Sequence, residues 1–160
     1  PRRMSGAQKE LSPVVAELIE RLRLEPHPEG GFYRETWRSP VTLEASSLPA
    51  GYSAARSAVT SIYFLLPTGV CSALHRVRSE ELWMHHQGDD VLLGIGPTET
   101  EAEAKSGETI LGQGLSAQLQ AVVPPMDWQR AEALPGPAGY ALVGCVVAPG
   151  FDFADFEMAD

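Results

Sequence analysis

The sequence is poor in cysteine and in long apolar runs, and both deficits narrow its class. Only two cysteines, Cys71 and Cys145, occur among the 160 residues. Two cysteines do not make a disulfide scaffold, and in apolar runs such as these a thiol usually acts as a small hydrophobe. No stretch reaches the roughly 18 apolar residues that a membrane-spanning helix needs. The polar segment 1–11 lacks the apolar core of a signal peptide, so we expect a cytoplasmic protein.

Basic residues are also scarce. The chain has 12 Lys and Arg against 21 Asp and Glu, which gives a net charge of −9. An acidic surface repels nucleic-acid phosphates and anionic membranes, so we expect neither as a partner. The chain has instead 15 glycines and 13 prolines, a composition typical of many short strands joined by turns.

One helix and a series of short strands are predicted within a single domain over 12–160. After Ser12-Pro13, apolar residues recur at spacing four, which predicts an amphipathic helix over 12–23 behind a flexible tail over 1–11. Segment 40–56 lacks any period and is predicted to be a mobile loop, and the acidic segment 99–103 to cap a hairpin. Glycine-punctuated strands, typical of a sandwich or barrel, are predicted at 59–66, 70–75, 81–86, 91–95, 109–111, 116–123 and 140–147.

Strand alternation assigns each polar side chain to a face of its strand. Along 32–38, Arg34 and Arg38 fall on one face and Glu35 on the other. The run from Glu81 divides into Glu81, Trp83 and His85 on one face and Leu82, Met84 and His86 on the other. A bulge would be needed to turn the last of these toward the face of Glu81.

The most informative segment places His75 and Glu81 on either side of a tight turn. Side chains of these two types that point into one interior can act as a general acid–base pair. They can also act as metal ligands. The residues alone leave both readings open.

The spacing of Gly69, His75, Glu81 and Gly88 resembles the first motif of the cupin superfamily, G-x5-H-x-H-x3-E-x6-G. Val77 stands at the position of the second histidine of that motif. The resemblance therefore implies a metal site from which one usual ligand is missing.

The second cupin motif, P-x-G-x2-H, resembles segment 124–129, with Gln129 in the place of histidine. Two of the four usual ligands are thus replaced. The metal set that the resemblance implies is His75, Glu81 and Gln129, and the cofactor is left open between none and a divalent metal.

Further segments are similar to one branch of the superfamily, often labelled predicted sugar epimerase by fold similarity. The segments are 28–36, 60–66, 79–83, 128–129 and 149–153. The resemblance runs from residue 13 to residue 158 and implies an all-β jelly-roll double-stranded β-barrel with one N-terminal helix, commonly a homodimer. The pocket residues that it implies are Arg34, Tyr63, His75, Glu81, Trp83, His86 and Gln129.

Three functions remain open for such a pocket. The first is a metal-independent isomerase or epimerase on a sugar-like or nucleotide-sugar ligand, with His75 as base and Tyr63 or Glu81 as acid. In that reading Arg34, Trp83, His86 and Gln129 bind the ligand. The second is a metal-dependent cupin enzyme that uses His75 and Glu81. The third is a protein that binds a small ligand without converting it.

Overall fold

Strands occupy much of residues 10–160, which are the residues that the computed structural model describes. Helix α1 spans Pro13–Leu22 and helix α2 spans Glu99–Glu103. Neither helix of these residues is long and apolar enough to cross a bilayer. The strands are β1 (Glu25–Pro26), β2 (Phe32–Arg38), β3 (Thr42–Leu43), β4 (Arg56–Ser57), β5 (Thr60–Pro67), β6 (His75–Val77), β7 (Glu80–Gly88), β8 (Val91–Gly96), β9 (Glu108–Leu111), β10 (Gln120–Val123), β11 (Trp128–Ala133), β12 (Tyr140–Ala148) and β13 (Phe156–Met158).

Two antiparallel sheets enclose the core. One has six strands in the order β1-β2-β5-β12-β7-β10, and the other has five in the order β13-β6-β11-β8-β9. The predicted all-β, double-sheet architecture with an N-terminal helix is confirmed. Side chains from both sheets meet in one apolar cluster: Phe64, Leu66, Trp83, Val91, Leu93, Leu111, Val123, Ala131, Ala133, Ala141, Val143 and Cys145.

Helix α1 covers the outer face of the six-stranded sheet. It begins after Ser12, whose hydroxyl accepts a bond from the backbone N–H of Val15. Val15 and Leu18 are buried against Leu65 and Leu142 of the sheet. Each fully buried side chain of this kind contributes about 2 kcal/mol, so packing rather than helix propensity holds the helix in place.

Several predicted elements differ from the observed ones. The segment predicted as a strand over 70–75 is mostly irregular, and the strand β6 begins rather than ends at His75. Strand β11 was not predicted, because its alternate buried positions are small alanines beside charged residues, which carry little strand signal. The acidic segment 99–103 closes the hairpin of β8 and β9, as predicted, and it forms helix α2, which is capped by Thr98.

The segment 40–56 was predicted to be mobile but is tied down by polar contacts. It contains β3 and a short helical turn, and it leads into β4. Arg56 is buried, and its Nε and Nη2 donate to the two carboxylate oxygens of Asp155 at 2.8 and 2.9 Å. The hydroxyl of Tyr52 lies 2.8 Å from that of Ser79. Such long-range polar contacts leave no apolar period in the sequence.

The described part of the N-terminal tail is exposed, and neither cysteine forms a disulfide. Of the predicted flexible tail, 1–11, only Glu10 and Leu11 lie within the described residues, and both are exposed. Cys71 and Cys145 are free thiols, the first half-buried and the second buried.

Candidate functional site

A cavity of about 320 Å³ opens between the two sheets. It is the size of a small-molecule site. Its charged and polar lining groups come from both sheets and from the connections between strands. They include the carboxylates of Glu29, Glu35, Glu81 and Asp152 and the imidazoles of His27 and His75. Aromatic rings also line the cavity, those of Tyr33, Phe64, Trp83, Phe151, Phe153 and Phe156.

His75 and Glu29 form a buried pair on the cavity wall. The side chain of His75 is 3% exposed and that of Glu29 is 8% exposed. His75 Nδ1 lies 2.7 Å from the carbonyl oxygen of Ala73, and because a carbonyl only accepts, Nδ1 carries the hydrogen. His75 Nε2 lies 3.0 Å from Glu29 Oε2, so that contact needs one proton between the two atoms.

Burial decides where that proton resides. It lowers the pKa of His75 to about 4, partly offset by the bond to Ala73, because a charged imidazole is poorly solvated there. Burial raises the pKa of Glu29 well above its usual range, and the nearby carboxylate of Glu81 raises it further. We therefore place the proton on Glu29, which donates to a neutral His75.

A double-glycine turn brings Glu29 to this position. Gly30 and Gly31 have φ of 101° and 73°, values that other residues rarely adopt. A Cβ on Gly30 would lie 2.9 Å from the carbonyl oxygen of Cys71, so the turn packs directly against the segment before β6. The backbone N–H of Ala73 donates to the carbonyl of Glu29 at 2.6 Å and fixes that contact.

His27 completes this wall as a neutral ring. Its Nδ1 accepts a bond from the backbone N–H of Glu29 at 3.1 Å, so its hydrogen is on Nε2. Burial, and then the proximity of His75, lower the pKa of His27 to about 4. The ring of Tyr33 meets it edge-on at 4.5 Å between centroids.

Glu81 lies on β7, in the six-stranded sheet, and is oriented by a chain of hydrogen bonds. Trp83 Nε1 donates to Gln129 Oε1 at 3.0 Å, and Gln129 Nε2 donates to Glu81 Oε1 at 2.9 Å. Burial raises the pKa of Glu81 to about 7, although the bonds from Gln129 and Cys145 lower it in part. Glu81 can therefore gain or lose a proton near neutral pH.

The donor set does not fit the metal site that the sequence resemblance implied. The oxygen of Gln129 already accepts from Trp83, and its nitrogen, which has no free lone pair, faces Glu81. Within residues 10–160, no three His, Cys, Asp or Glu side chains are arranged to hold a metal ion. We therefore derive no chemistry from a metal at His75, Glu81 and Gln129.

The mouth of the cavity carries one guanidinium. Arg38 Nε and Nη2 donate to the two oxygens of Glu35 at 2.8 and 2.9 Å, and Nη2 also donates to the carbonyl of Phe151 at 3.1 Å. Strand alternation predicted Arg38 on the face opposite Glu35. A bulge between Glu35 and Trp37 shifts the register and brings the two side chains together, which corrects that prediction.

Three residues that the resemblance implied for the pocket lie on the outer face of the six-stranded sheet. Arg34 Nε donates to the carbonyl of Leu22 at the end of α1, at 2.7 Å, and its guanidinium lies over the ring of Tyr63. Tyr63 meets the ring of His86 edge-on at 6.0 Å. The neighbours of Tyr63 in β5, Ile62 and Phe64, line the cavity, so alternation turns Tyr63 away from it. Arg34, Tyr63 and His86 are therefore not placed with His75 and Glu81.

A bulge does occur at His86, but it does not turn that side chain inward. The pairing of β7 with β12 skips from His85 to Gln87, which leaves His86 unpaired and exposed. His85 is buried, and its ring nitrogens contact the carbonyl of Asp89 at 2.8 Å and the amide of Gln113 at 2.9 Å. Both ring nitrogens of His85 are thus used by the fold.

Of the residues predicted for the site, His75, Glu81 and Trp83 line the cavity, and Gln129 supports Glu81 from behind. Sequence reasoning missed His27, Glu29 and Tyr33. The signal available for them was the Gly30-Gly31 pair, because two adjacent glycines favour a tight turn where the backbone approaches another segment.

The fold and the site define a double-sheet β protein with a cavity of small-molecule size and an acid–base lining. The chain belongs to the family described as Cupin superfamily (DUF985), whose model matches residues 16–159. This result confirms the predicted cupin fold. An uncharacterised protein of Saccharomyces cerevisiae is 30% identical over 150 residues, which cover 88% of this chain and 73% of that protein.

Two solved structures are similar in both sequence and fold. A hypothetical protein from Leishmania major is 35% identical, with a TM-score of 0.74 over 90% of this chain and 86% of its own. A protein from Shewanella oneidensis is also 35% identical, with a TM-score of 0.72 over 90% of this chain and 83% of its own.

Proposed function

We propose that this cupin is a metal-independent isomerase or epimerase that acts on a small sugar-like molecule. The observation that carries the proposal is the buried contact of 3.0 Å between Glu29 Oε2 and His75 Nε2 on the cavity wall. Glu81 supplies a second proton-exchanging group with a pKa of about 7. Reactions that move a hydrogen beside a carbonyl need one acid and one base in this kind of arrangement.

The two carboxyl groups have different origins in the fold. Glu29 is in the turn that joins β1 to β2 and is held against the segment before β6, whereas Glu81 is on β7. Both carboxyl groups line the same cavity, so both can reach one bound molecule. Both ring nitrogens of His75 are already engaged, so His75 acts through Glu29 as a positioning residue rather than on the substrate itself.

Two protons move in the proposed step. The carboxylate of Glu81 takes the proton from the carbon next to the substrate carbonyl, and the proton of Glu29 goes to the carbonyl oxygen, which gives a neutral enediol. Glu81 then gives its proton to the neighbouring carbon while an enediol hydroxyl gives a proton to Glu29, which yields the isomer and restores the carboxylate of Glu81 and the acid of Glu29. The epimer forms instead when water protonates the original carbon on its opposite face, an enediol hydroxyl restores the acid of Glu29, and Glu81 releases its proton to the resulting hydroxide.

The cavity suits a sugar-like ligand better than a nucleotide-sugar. Its volume, about 320 Å³, is at the lower end for small-molecule sites. A diphosphate needs free cationic donors, and the guanidinium at the cavity mouth, that of Arg38, is engaged by Glu35. We therefore leave nucleotide-sugars out of the proposal.

Solvent deuterium exchange tests the proposal. Aldoses and ketoses are incubated with the protein in D₂O, and loss of the C–H signal beside the carbonyl is followed by proton NMR. We expect exchange with at least one sugar, and about 100-fold slower exchange in Glu29→Gln and Glu81→Gln, as for loss of a general acid or base. Glu80→Gln is the matched control, because it makes the same substitution at the exposed residue next to Glu81, outside the cavity.

Two outcomes would count against the proposal. Saturable sugar binding with no exchange in the wild type would favour a protein that binds a ligand without converting it. Equal exchange rates in the wild type and Glu29→Gln would remove Glu29 from the reaction.

A further inference from the structure

The cavity has more hydrogen-bond acceptors than donors. Four carboxylic side chains line it, whereas Arg38 is the one Lys or Arg side chain in the lining that the described residues provide. That guanidinium is already bonded to Glu35 and to the carbonyl of Phe151. Glu35 therefore neutralises the charge of Arg38 before any ligand enters. No Lys or Arg side chain of the described residues neutralises the remaining carboxyl groups of the lining.

Two carboxyl groups of the cavity lining, those of Glu29 and Asp152, keep an oxygen that no described residue bonds. Glu29 contacts His75 through Oε2, and within residues 10–160 no bond involves its Oε1. Asp152 Oδ1 accepts from the backbone N–H of Ala154 at 2.8 Å, and its Oδ2 has no bond to another described residue. Free carboxyl oxygens in a cavity bind N–H donors, and a charged donor forms the stronger bond.

Aromatic rings accompany these oxygens. Phe151 and Phe153 meet edge-on at 4.9 Å between centroids, with Asp152 between them in sequence, and Phe156 lies 6.2 and 5.9 Å from the two rings. All of these residues line the cavity. Aromatic faces attract cations through their quadrupole, and anions are repelled from the same faces.

We propose that the ligand of this cavity carries a protonated amino group, so that the substrate is an amine-bearing sugar or polyol. The sugar-like part of this inference rests on the proposed function. The positive charge of the ligand does not depend on the proposed function. It is supported by the excess of hydrogen-bond acceptors in the cavity, by the pairing of Arg38 with Glu35, and by the cluster of phenylalanine rings described above. An ammonium group would complete the bonding of the carboxyl oxygens, which a neutral hydroxyl does less strongly and a carboxylate cannot do.

A series of three matched probes isolates the charge. D-Glucamine, D-glucitol and D-gluconate share one carbon skeleton and differ at one end, which is ammonium, hydroxymethyl or carboxylate. A primary alkylamine, like the lysine side chain, titrates near pH ~10, so glucamine is cationic at pH 7. Affinities are measured by calorimetry at pH 7 and one ionic strength. We expect glucamine to bind at least tenfold more tightly than glucitol, and gluconate to show no binding.

Variants locate the source of that preference. Asp152→Asn and Glu81→Gln should each weaken glucamine binding at least fivefold while glucitol binding changes less than twofold. The amide of the Asp152→Asn variant keeps an oxygen for the bond from Ala154, and position 152 is exposed, so this variant is expected to fold. Glu80→Gln, which removes the same charge outside the cavity, should leave glucamine binding unchanged.

Equal affinity for glucamine and glucitol, tighter binding of gluconate, or no binding of any of the three would overturn the inference. The result is separable from that of the exchange assay. A preference for glucamine without deuterium exchange in any sugar would keep the cationic ligand and remove the isomerase. Exchange in neutral sugars without that preference would do the reverse.

Discussion

The two faces of the six-stranded sheet carry the same kinds of residue and use them differently. On the outer face, Arg34 contacts the end of α1 and the ring of Tyr63, and Tyr63 contacts the ring of His86. On the cavity side, Glu81 is buried with its pKa raised to about 7, and it lines the same cavity as the pair of Glu29 and His75. Residue type alone therefore does not identify this site. What distinguishes the inner groups is burial that shifts their pKa values, together with one oxygen of Glu29 that no described residue bonds.

The difference also has an energetic side. The outer face gains stability from the packing of α1 on the sheet. The inner groups cost stability, because burial penalises the charged forms of His27, His75 and Glu81. Functional sites often keep such unfavourable groups because other parts of the fold offset them. If this difference is real, substitutions on the cavity face change activity and substitutions on the outer face change stability.

The largest expected difference is between two histidines, His75 on the cavity wall and His86 on the outer face. His75→Ala removes the partner that holds Glu29 and should slow deuterium exchange at least 100-fold. His86→Ala, on the exposed outer face, should change the rate less than twofold. NMR exchange rates under one set of conditions compare them directly, with circular dichroism as a check of folding. Similar losses in both variants would mean that the faces do not separate function from structure.

The second effect concerns stability and pH at Glu81. Burial raises the pKa of this group to about 7 from 4.5, so the folded state keeps a proton that the unfolded chain releases between these values. The contribution of Glu81 to stability is therefore full below about pH 4.5 and falls as the pH rises to about 7. A shift of this size corresponds to up to about 3 kcal/mol.

Glu81→Gln removes this titration and Glu80→Gln does not. The free energy of unfolding of Glu81→Gln relative to the wild type should therefore increase between pH 4.5 and pH 8, by up to about 3 kcal/mol. Urea unfolding at the two pH values measures it. A difference between Glu81→Gln and the wild type that does not change with pH would show that Glu81 titrates in the folded protein as it does in the unfolded chain.

The sequence predicted the fold better than the site. The helix period after Ser12 and the glycine-punctuated strands were enough for the double-sheet architecture, because both are local patterns. The spacing of His75 and Glu81 was also sufficient to bring these two residues to one cavity. Glu29 was missed because its place depends on a turn that packs against a segment about 40 residues later, and no local pattern reports such a contact.

Two errors have an instructive physical cause. Alternation along β5 and β7 turns Tyr63 and His86 outward, whereas the family resemblance implied that both residues line the pocket. The alternation was the better guide for these two residues. For Arg38 it was the worse guide, because a bulge in β2 moves this side chain to the face of Glu35. Bulges leave no clear sequence signal, so the face of a residue beyond one must come from the structure.

The smallest effect is expected at the two arginines of β2, and it sharpens the comparison most. Arg34→Gln removes the donor to the carbonyl of Leu22 at the end of α1, where a positive charge is also favourable. We expect a loss of about 1–2 kcal/mol in the free energy of unfolding, with deuterium exchange and glucamine binding unchanged.

Arg38→Gln frees Glu35 at the cavity mouth, so it should strengthen glucamine binding about twofold to fivefold, with little change in stability. Urea unfolding and calorimetry on both variants give the four values. Weaker ligand binding in Arg34→Gln at unchanged stability would mean that Arg34 belongs to the binding site. The six-stranded sheet would then not separate the functional residues from the structural ones.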